Sequence, residues 1–397
     1  MQQGISGMSD EQLISGMSDE QLDTAEVLPG GVVPKWAIPL LLAIPVAAVM
    51  DATGASQVGV FIAAALALIP CSGIMGRATE HLAAKSGPGI GGLLNVTFGN
   101  APELIIALVA LSQGYSELVK ASLVGSVLGN ALLVLGASMF AGGIHAKRRN
   151  SEQEFNRTAA SAQAGMLLVA VATLVLPAVW ELASPTGEGL PKVAEEAHKY
   201  SGDVLTLSWI VAAILILTYV AGMIFSLVTH RDVFNPVQGH SSGVWKVGKS
   251  VLLLAVAGAL VGWMSELLVG SLHDTTSSLG ASEFFIGAIV VAIVGNAAEH
   301  WVAVAVAWKD QMSLAINISI GSAVQIALFV APVVALCSLF IGPDAMPLVF
   351  NGYELAALLL ASIVAAVATS RGRSTWFEGL QLIALYAVFA VLFWFAA

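Results

Sequence analysis

Apolar runs long enough to cross roughly 30 Å of hydrocarbon recur near residues 35–50, 57–84, 89–113, 117–144, 161–181, 204–229, 249–271, 282–308, 313–341, 347–369 and 375–397. A backbone in lipid can satisfy its polar groups only within helices or a closed barrel, and runs of this length predict helices. The expected fold class is therefore an all-α polytopic membrane protein with eleven transmembrane helices. Composition agrees: 57% hydrophobic residues, 11% charged residues and a mean hydropathy of +0.85 over 397 residues lie outside the range of water-soluble domains. The first run is short and holds Pro39 and Pro45. Several others contain glycine, which is tolerated where neighbouring helices or water meet the freed backbone.

The net charge of -10 is uneven, because Asp10, Glu11, Asp19, Glu20, Asp23 and Glu26 all fall in the polar N-terminal tail, residues 1–34. Nothing in this balance suggests a nucleic-acid partner. The tail has no basic stretch followed by an apolar core, so no cleavable signal is expected. It carries a tandem nonapeptide, ISGMSDEQL, at Ile5–Leu13 and Ile14–Leu22, which reads as a duplication of no evident function. Cys71 and Cys337 lie inside apolar runs and read as small buried hydrophobes.

Two short motifs interrupt the hydrophobicity: Gly99-Asn100-Ala101-Pro102-Glu103 and Gly295-Asn296-Ala297-Ala298-Glu299. Each places an acid in an apolar stretch, where an ionised carboxylate is costly and marks a functional site by default. Three-residue spacing puts amide and carboxylate on one helix face in each copy. Converging, Glu103, Glu299, Asn100 and Asn296 offer the hard oxygen ligands that Ca2+ prefers. A Pro102 within a helix releases the carbonyl of Phe98 as a further ligand. The second copy has Ala298 there, so Gly295 has to loosen that helix instead. Two carboxylates close together in low dielectric cannot both stay ionised without a cation, so an empty site is expected to hold protons. Metal and protons then compete for the same oxygens, which is the basis of antiport.

The duplication is wider than the pentapeptides, since Gly125-Ser126 and Gly321-Ser322 follow their motifs by the same offset. Thr79-Glu80-His81-Leu82 is matched more loosely by Ser265-Glu266-Leu267-Leu268. The expected domains are a tail (1–34), an unpaired first helix (35–50), a first repeat (51–229), a cytoplasmic linker (230–248) and a second repeat (249–397). Five helices per repeat is odd, so the second repeat enters the membrane inverted, with a site at the midplane between the halves. A cytoplasmic N-terminus, which puts the C-terminus outside, leaves 13 of the 16 basic residues inside. Only Lys120, Lys192 and Lys199 remain outside, and no basic residue is expected deep in a span. Glu80 and Glu266 then lie near opposite faces, where each attracts cations. Asn130 and Gln325 are polar residues of spans, for which interhelical hydrogen bonding competes with a functional role. His300 reads equally as a satisfied interior histidine or a proton relay.

GNAPELIIAL at 99–108 and GNAAEH at 295–300 resemble the two signature repeats of the Ca2+/cation antiporter superfamily. Glu followed by His in the second repeat is similar to its cation/proton exchanger branch. The resemblance implies a Ca2+/H+ exchanger in which Glu103 and Glu299 bind the ion, assisted by Asn100 and Asn296, with Gly99 and Gly295 opening each motif. It also implies that Glu80, Ser126, Ser322 and Gln325 gate the path or carry protons. No cofactor is expected beyond transported Ca2+, and the partners are Ca2+, H+ and the bilayer, with a homo-oligomer left open. The linker lacks the acidic helix of many eukaryotic members, which points to a prokaryotic plasma membrane. Exchange driven by Na+ is the alternative. An intramembrane metalloenzyme is disfavoured, because no His-Glu-x-x-His pattern and no nucleophile–base pair lies in a span.

Overall fold

The computed structural model describes residues 35–86, 91, 94, 95, 97–148, 152–185, 187, 189–193, 200, 202–229 and 245–396. The N-terminal tail with its nonapeptide, and most of the linker, lie outside the described residues. A 3-10 stretch, Lys35–Leu42, leads into the α-helix Ala43–Ala52, together α1. Then follow α2 (Gln57–Lys85), α3 (Ala101–Ser112), α4 (Ser116–Ala146), α5 (Arg157–Ala183) and α6 (Asp203–Ile224). Beyond the linker come α7 (Val247–Gly270), a short helix Leu272–Leu279, α8 (Glu283–Trp308), α9 (Met312–Cys337), α10 (Gly352–Thr369) and α11 (Trp376–Phe395).

Each expected apolar run meets one of these helices, but α3 occupies only the second half of the run expected at 89–113. Among the described residues nine are long and apolar enough to cross a membrane, whereas α1 and α3 are shorter. In α1, Pro39 lies within the 3-10 stretch, since proline withdraws a donor from the regular ladder. The shortness of α3 arises at the first motif and is described below. Cys71 and Cys337 are free thiols within helices; Cys71 is buried as expected, whereas Cys337 is only half-buried.

Small residues let the helices pack backbone to backbone, as membrane interfaces require. A Cβ on Gly125 of α4 would lie 1.9 Å from the carbonyl oxygen of Ala288 on α8, and one on Gly287 of α8 would lie 2.9 Å from that of Leu118. Gly125→Ala is therefore expected to cost about 3 kcal/mol, the upper end for overpacking, because the obstacle is backbone rather than a movable side chain. Thermal denaturation in detergent, compared with Gly248→Ala, reads this; a Cβ at Gly248 meets nothing within 4 Å.

Local sequence sets the last two helix starts. Asn351-Gly-Tyr-Glu354 and Thr375-Trp-Phe-Glu378 each form a reciprocal capping box opening α10 and α11. Glu354 is itself buried and faces Lys120 of α4. Lys120 is 1% exposed, with its Nζ 2.6 Å from Glu117 Oε1 and donating to the Val349 carbonyl at 2.9 Å. Lys120 stands in the first turns of α4, near the end of the span, and is buried by protein there. Two acceptors hold this lysine and the Glu354 carboxylate lies close enough to feel its charge, so two of its three neighbours come from chain far along the sequence.

At the end of the bundle near Arg157, β1 (Gln153–Glu154) pairs antiparallel with β2 (Arg373–Ser374), tying the α4–α5 connection to the α10–α11 connection. Ser374 donates to the buried Gln153 Oε1 at 3.1 Å, and Arg157 Nε donates to the Ser370 carbonyl at 2.7 Å. Arg371 pairs with the Glu378 of the capping box.

Candidate ion-binding site

The two motifs are held differently. In the first, Asn100 adopts φ −97° and ψ 19° and ends the preceding helical residues in a turn, so α3 starts afresh at Ala101. Pro102 then sits in the first helical turn, where a missing N–H leaves nothing unsatisfied. The expectation that Pro102 frees the Phe98 carbonyl from a helix interior is therefore corrected: the helix is already interrupted. Glu103 occupies the same first turn, at the positive end of the helix dipole. The second motif lies within a through-going α-segment, Ala292–Trp308, and Gly295 does not loosen it. The irregularity comes earlier, as a π-helical stretch at Ile286–Val291, beside the close contact with α4.

Glu103 and Glu299 line one cavity of about 370 Å³, together with Gly99, Gly295, Ser322 and Gln325. The contact is reciprocal. A Cβ on Gly99 would lie 3.9 Å from Glu299 Oε1, and one on Gly295 would lie 3.9 Å from Glu103 Cγ and 4.0 Å from its Oε1. Each motif's glycine thus clears the space beside the other motif's carboxylate. Glu103 is buried and its Oε2 has no hydrogen-bond partner, whereas Glu299 lies within hydrogen-bonding reach of the Ser322 hydroxyl.

Asn100 and Asn296, each 1% exposed, do not line the cavity and are engaged behind it. Asn100 donates to Gln325 Oε1 and accepts from the Ser322 hydroxyl at 3.3 Å. Asn296 donates to the Ser126 hydroxyl at 3.2 Å and to the Ala292 carbonyl at 3.0 Å. Asn130 closes the chain, donating to Ser322 Oγ at 3.2 Å, to the Ser126 carbonyl at 3.0 Å and, at a longer 3.4 Å, to Asn296 Oδ1. The expected ligands Glu103 and Glu299 come together, while the expected amide ligands form a polar floor joining α3, α4, α8 and α9. Asn130 lies in a π-helical stretch of α4, Gly129–Val134, and Gln325 immediately precedes one in α9, Ile326–Val330.

The remaining residues divide. Glu80 lines the same cavity, with Arg77 as a charged neighbour and its Oε2 buried and unpartnered. Glu266 is exposed and is not brought to the cavity. His300 faces α4, its Cε1 lying 3.9 Å from a Cβ built on Gly129, and its buried Nε2 has no partner. Gln163 of α5 and Asn317 of α9, which the sequence reading passed over, also line the wall and hydrogen-bond to each other. An amide inside an apolar run was the available signal for both.

A helical membrane bundle that turns two acids toward one internal cavity, on a floor of amides and hydroxyls, has the oxygen-rich interior that a small cation requires. The chain belongs to the sodium/calcium exchanger protein family, whose profile matches residues 56–228 and 249–395. It is 44% identical over 332 residues to the Ca2+/H+ antiporter ChaA of Bacillus subtilis (strain 168), covering 82% of this chain and 89% of that one. It is 39% identical over 377 residues to a Ca2+/H+ antiporter of Synechocystis sp., covering 90% and 96%. The structure of native YfkE is similar in fold, with a TM-score of 0.76 and 38% identity over 90% of this chain and 99% of that one.

Proposed function

We propose that this protein exchanges Ca2+ for H+ across the membrane by alternating access, with Ca2+ and protons competing for Glu103 and Glu299. The observation that carries this reading is the shared cavity in which each carboxylate stands against the glycine of the other motif. Two carboxylates neutralise one divalent cation, and without it the same buried oxygens retain protons, so one cargo displaces the other. Ser322 and Gln325 reach the cavity as neutral oxygen donors, while Asn100, Asn296, Ser126 and Asn130 hold the floor. Glu80, farther along the cavity wall, draws cations toward the pair and passes protons. The names of the B. subtilis and Synechocystis relatives support this pairing of ions.

The architecture we assign is eleven crossings: an unpaired α1, then α2–α6 and α7–α11 as inverted repeats, over the boundaries expected from the sequence. The π-helical stretches support it, because Gly129–Val134 and Ile326–Val330 stand at matching distances after Glu103 and Glu299. With the N-terminus in the cytoplasm of a prokaryotic cell, the cavity belongs to the cytoplasmic side. On this orientation its walls come from the cytoplasmic ends of α2, α5, α8 and α9, which carry the lining residues Arg77, Gln163, Val302 and Asn317, and from Ser226 just past α6.

Everted membrane vesicles test the reading. An imposed pH gradient, acid inside, is expected to drive Ca2+ uptake, and a Na+ gradient at clamped pH is not. Lowering the pH on the loading face is expected to raise the KM for Ca2+ without lowering the rate at saturation. Uptake that follows only the Na+ gradient overturns the proposal.

A further inference from the structure

In the cavity that Glu80 shares with the glutamate pair, the wall formed by α5 and α9 carries no fixed charge but does carry two amides, Gln163 and Asn317. Gln163 is 9% exposed and donates from Nε2 to Asn317 Oδ1. That bond occupies one of the pair's two amide oxygens and leaves the other out of it, and the count is the same if both amides are flipped. Asn317, Gly321 and Gln325 follow at successive four-residue steps, on one face of α9, and all three line the cavity. The middle position is bare: a Cβ on Gly321 would lie 3.8 Å from Asn317 Oδ1 and 4.0 Å from Gln163 Nε2. A clear strip therefore runs from the amide pair to Gln325, which is bonded to Asn100 beside Glu103. The same residue spacing that carries Glu299 back to Glu103 carries Asn317 to Ala121 and Gln163 to Leu359, so the other repeat has no such pair.

We infer that Gln163 and Asn317 form an uncharged relay site for the divalent cation, where an amide oxygen replaces part of its hydration shell on the way between the cytoplasm and Glu103/Glu299. A relay has to hold the ion strongly enough to admit it and weakly enough to release it, which neutral carbonyl oxygens do and a carboxylate does not. The lone copy confines this step to one face of the membrane. The inference rests on the exchange reading above.

The test uses full-length protein in vesicles, with Ca2+ as the probe. Gln163→Leu and Asn317→Leu are each expected to lower kcat/KM for Ca2+ presented at the cytoplasmic face by about three- to ten-fold, the range for losing one polar contact to an ion. The values for Ca2+ presented at the opposite face, and kcat itself, stay within two-fold. Asn317→Asp has the opposite signature: kcat falls because the added carboxylate retains the ion, while kcat/KM at the cytoplasmic face does not fall. A pair that merely packs α5 on α9 lowers thermal stability or yield and leaves kcat/KM per folded molecule unchanged at both faces, which overturns the inference. Equal losses at both faces overturn it as well. Wild-type vesicles that take up no Ca2+ on a pH gradient refute the exchange reading instead, so the two failures are distinguishable.

Discussion

Glu103→Gln and Glu299→Gln are each expected to reduce Ca2+ uptake into everted vesicles at least 100-fold while leaving the protein folded. Glutamine keeps the size and the hydrogen-bonding reach of the side chain and removes its charge. Even at an effective dielectric constant of about 20, a unit charge in contact with a divalent ion is worth several kcal/mol, and about 2.7 kcal/mol already corresponds to 100-fold. The cost is not diluted by solvent, because Glu103 is only 8% exposed. The amide also cannot carry a proton in exchange, so raising the Ca2+ concentration does not restore coupling. Ser322→Ala removes a neutral contact to Glu299 and is expected to raise KM about ten-fold or less. Retention of coupled uptake by either glutamine variant contradicts the assignment of the pair as the cargo site.

The second large effect concerns stability, remote from the cavity. Lys120→Met is expected to lower the stability of the protein in detergent by about 3–5 kcal/mol, because Glu117 and the buried Glu354 lose their shared cation. Methionine fills much of the space of the lysine stem, so the loss reports the charge rather than a cavity. Adding Glu354→Gln to Lys120→Met is expected to recover a large part of the deficit, since the uncompensated acid is then gone. Thermal denaturation of the two variants and wild type measures this. A single variant as stable as wild type refutes the account of the cluster as a buried ion assembly.

Most helices were legible because apolar runs of membrane length leave a chain few alternatives, and the duplicated acids were legible because a carboxylate in such a run is rare. What the sequence did not disclose were properties decided by distant partners. Pro102 signals a break, but whether it stands inside a helix or at the start of one depends on the turn at Asn100, which Ser322 and Gln325 of α9 hold in place. The two asparagines share their motifs with the acids, yet the hydroxyls of Ser126 and Ser322 and the amide of Gln325 engage them, turning expected ligands into a floor. Lys120 looked like a residue at the end of a run because Glu354 and Val349, its other partners, come far later in the chain. Glu266 resembles Glu80 in sequence but ends on an exposed face, so a loose match of residues did not carry over to a match of place.

The unequal setting of the two motifs makes the jaws of the site mechanically different. Glu299 is built into a long rod anchored on both sides of the motif, and it serves as the fixed jaw. Glu103 stands at the tip of a twelve-residue rod that begins at the motif itself, so a small tilt of that rod swings its carboxylate without bending any helix. Under the proposed exchange, the spacing of the oxygens can be adjusted by tilting the short rod, whereas the same adjustment at Glu299 would have to bend the long one.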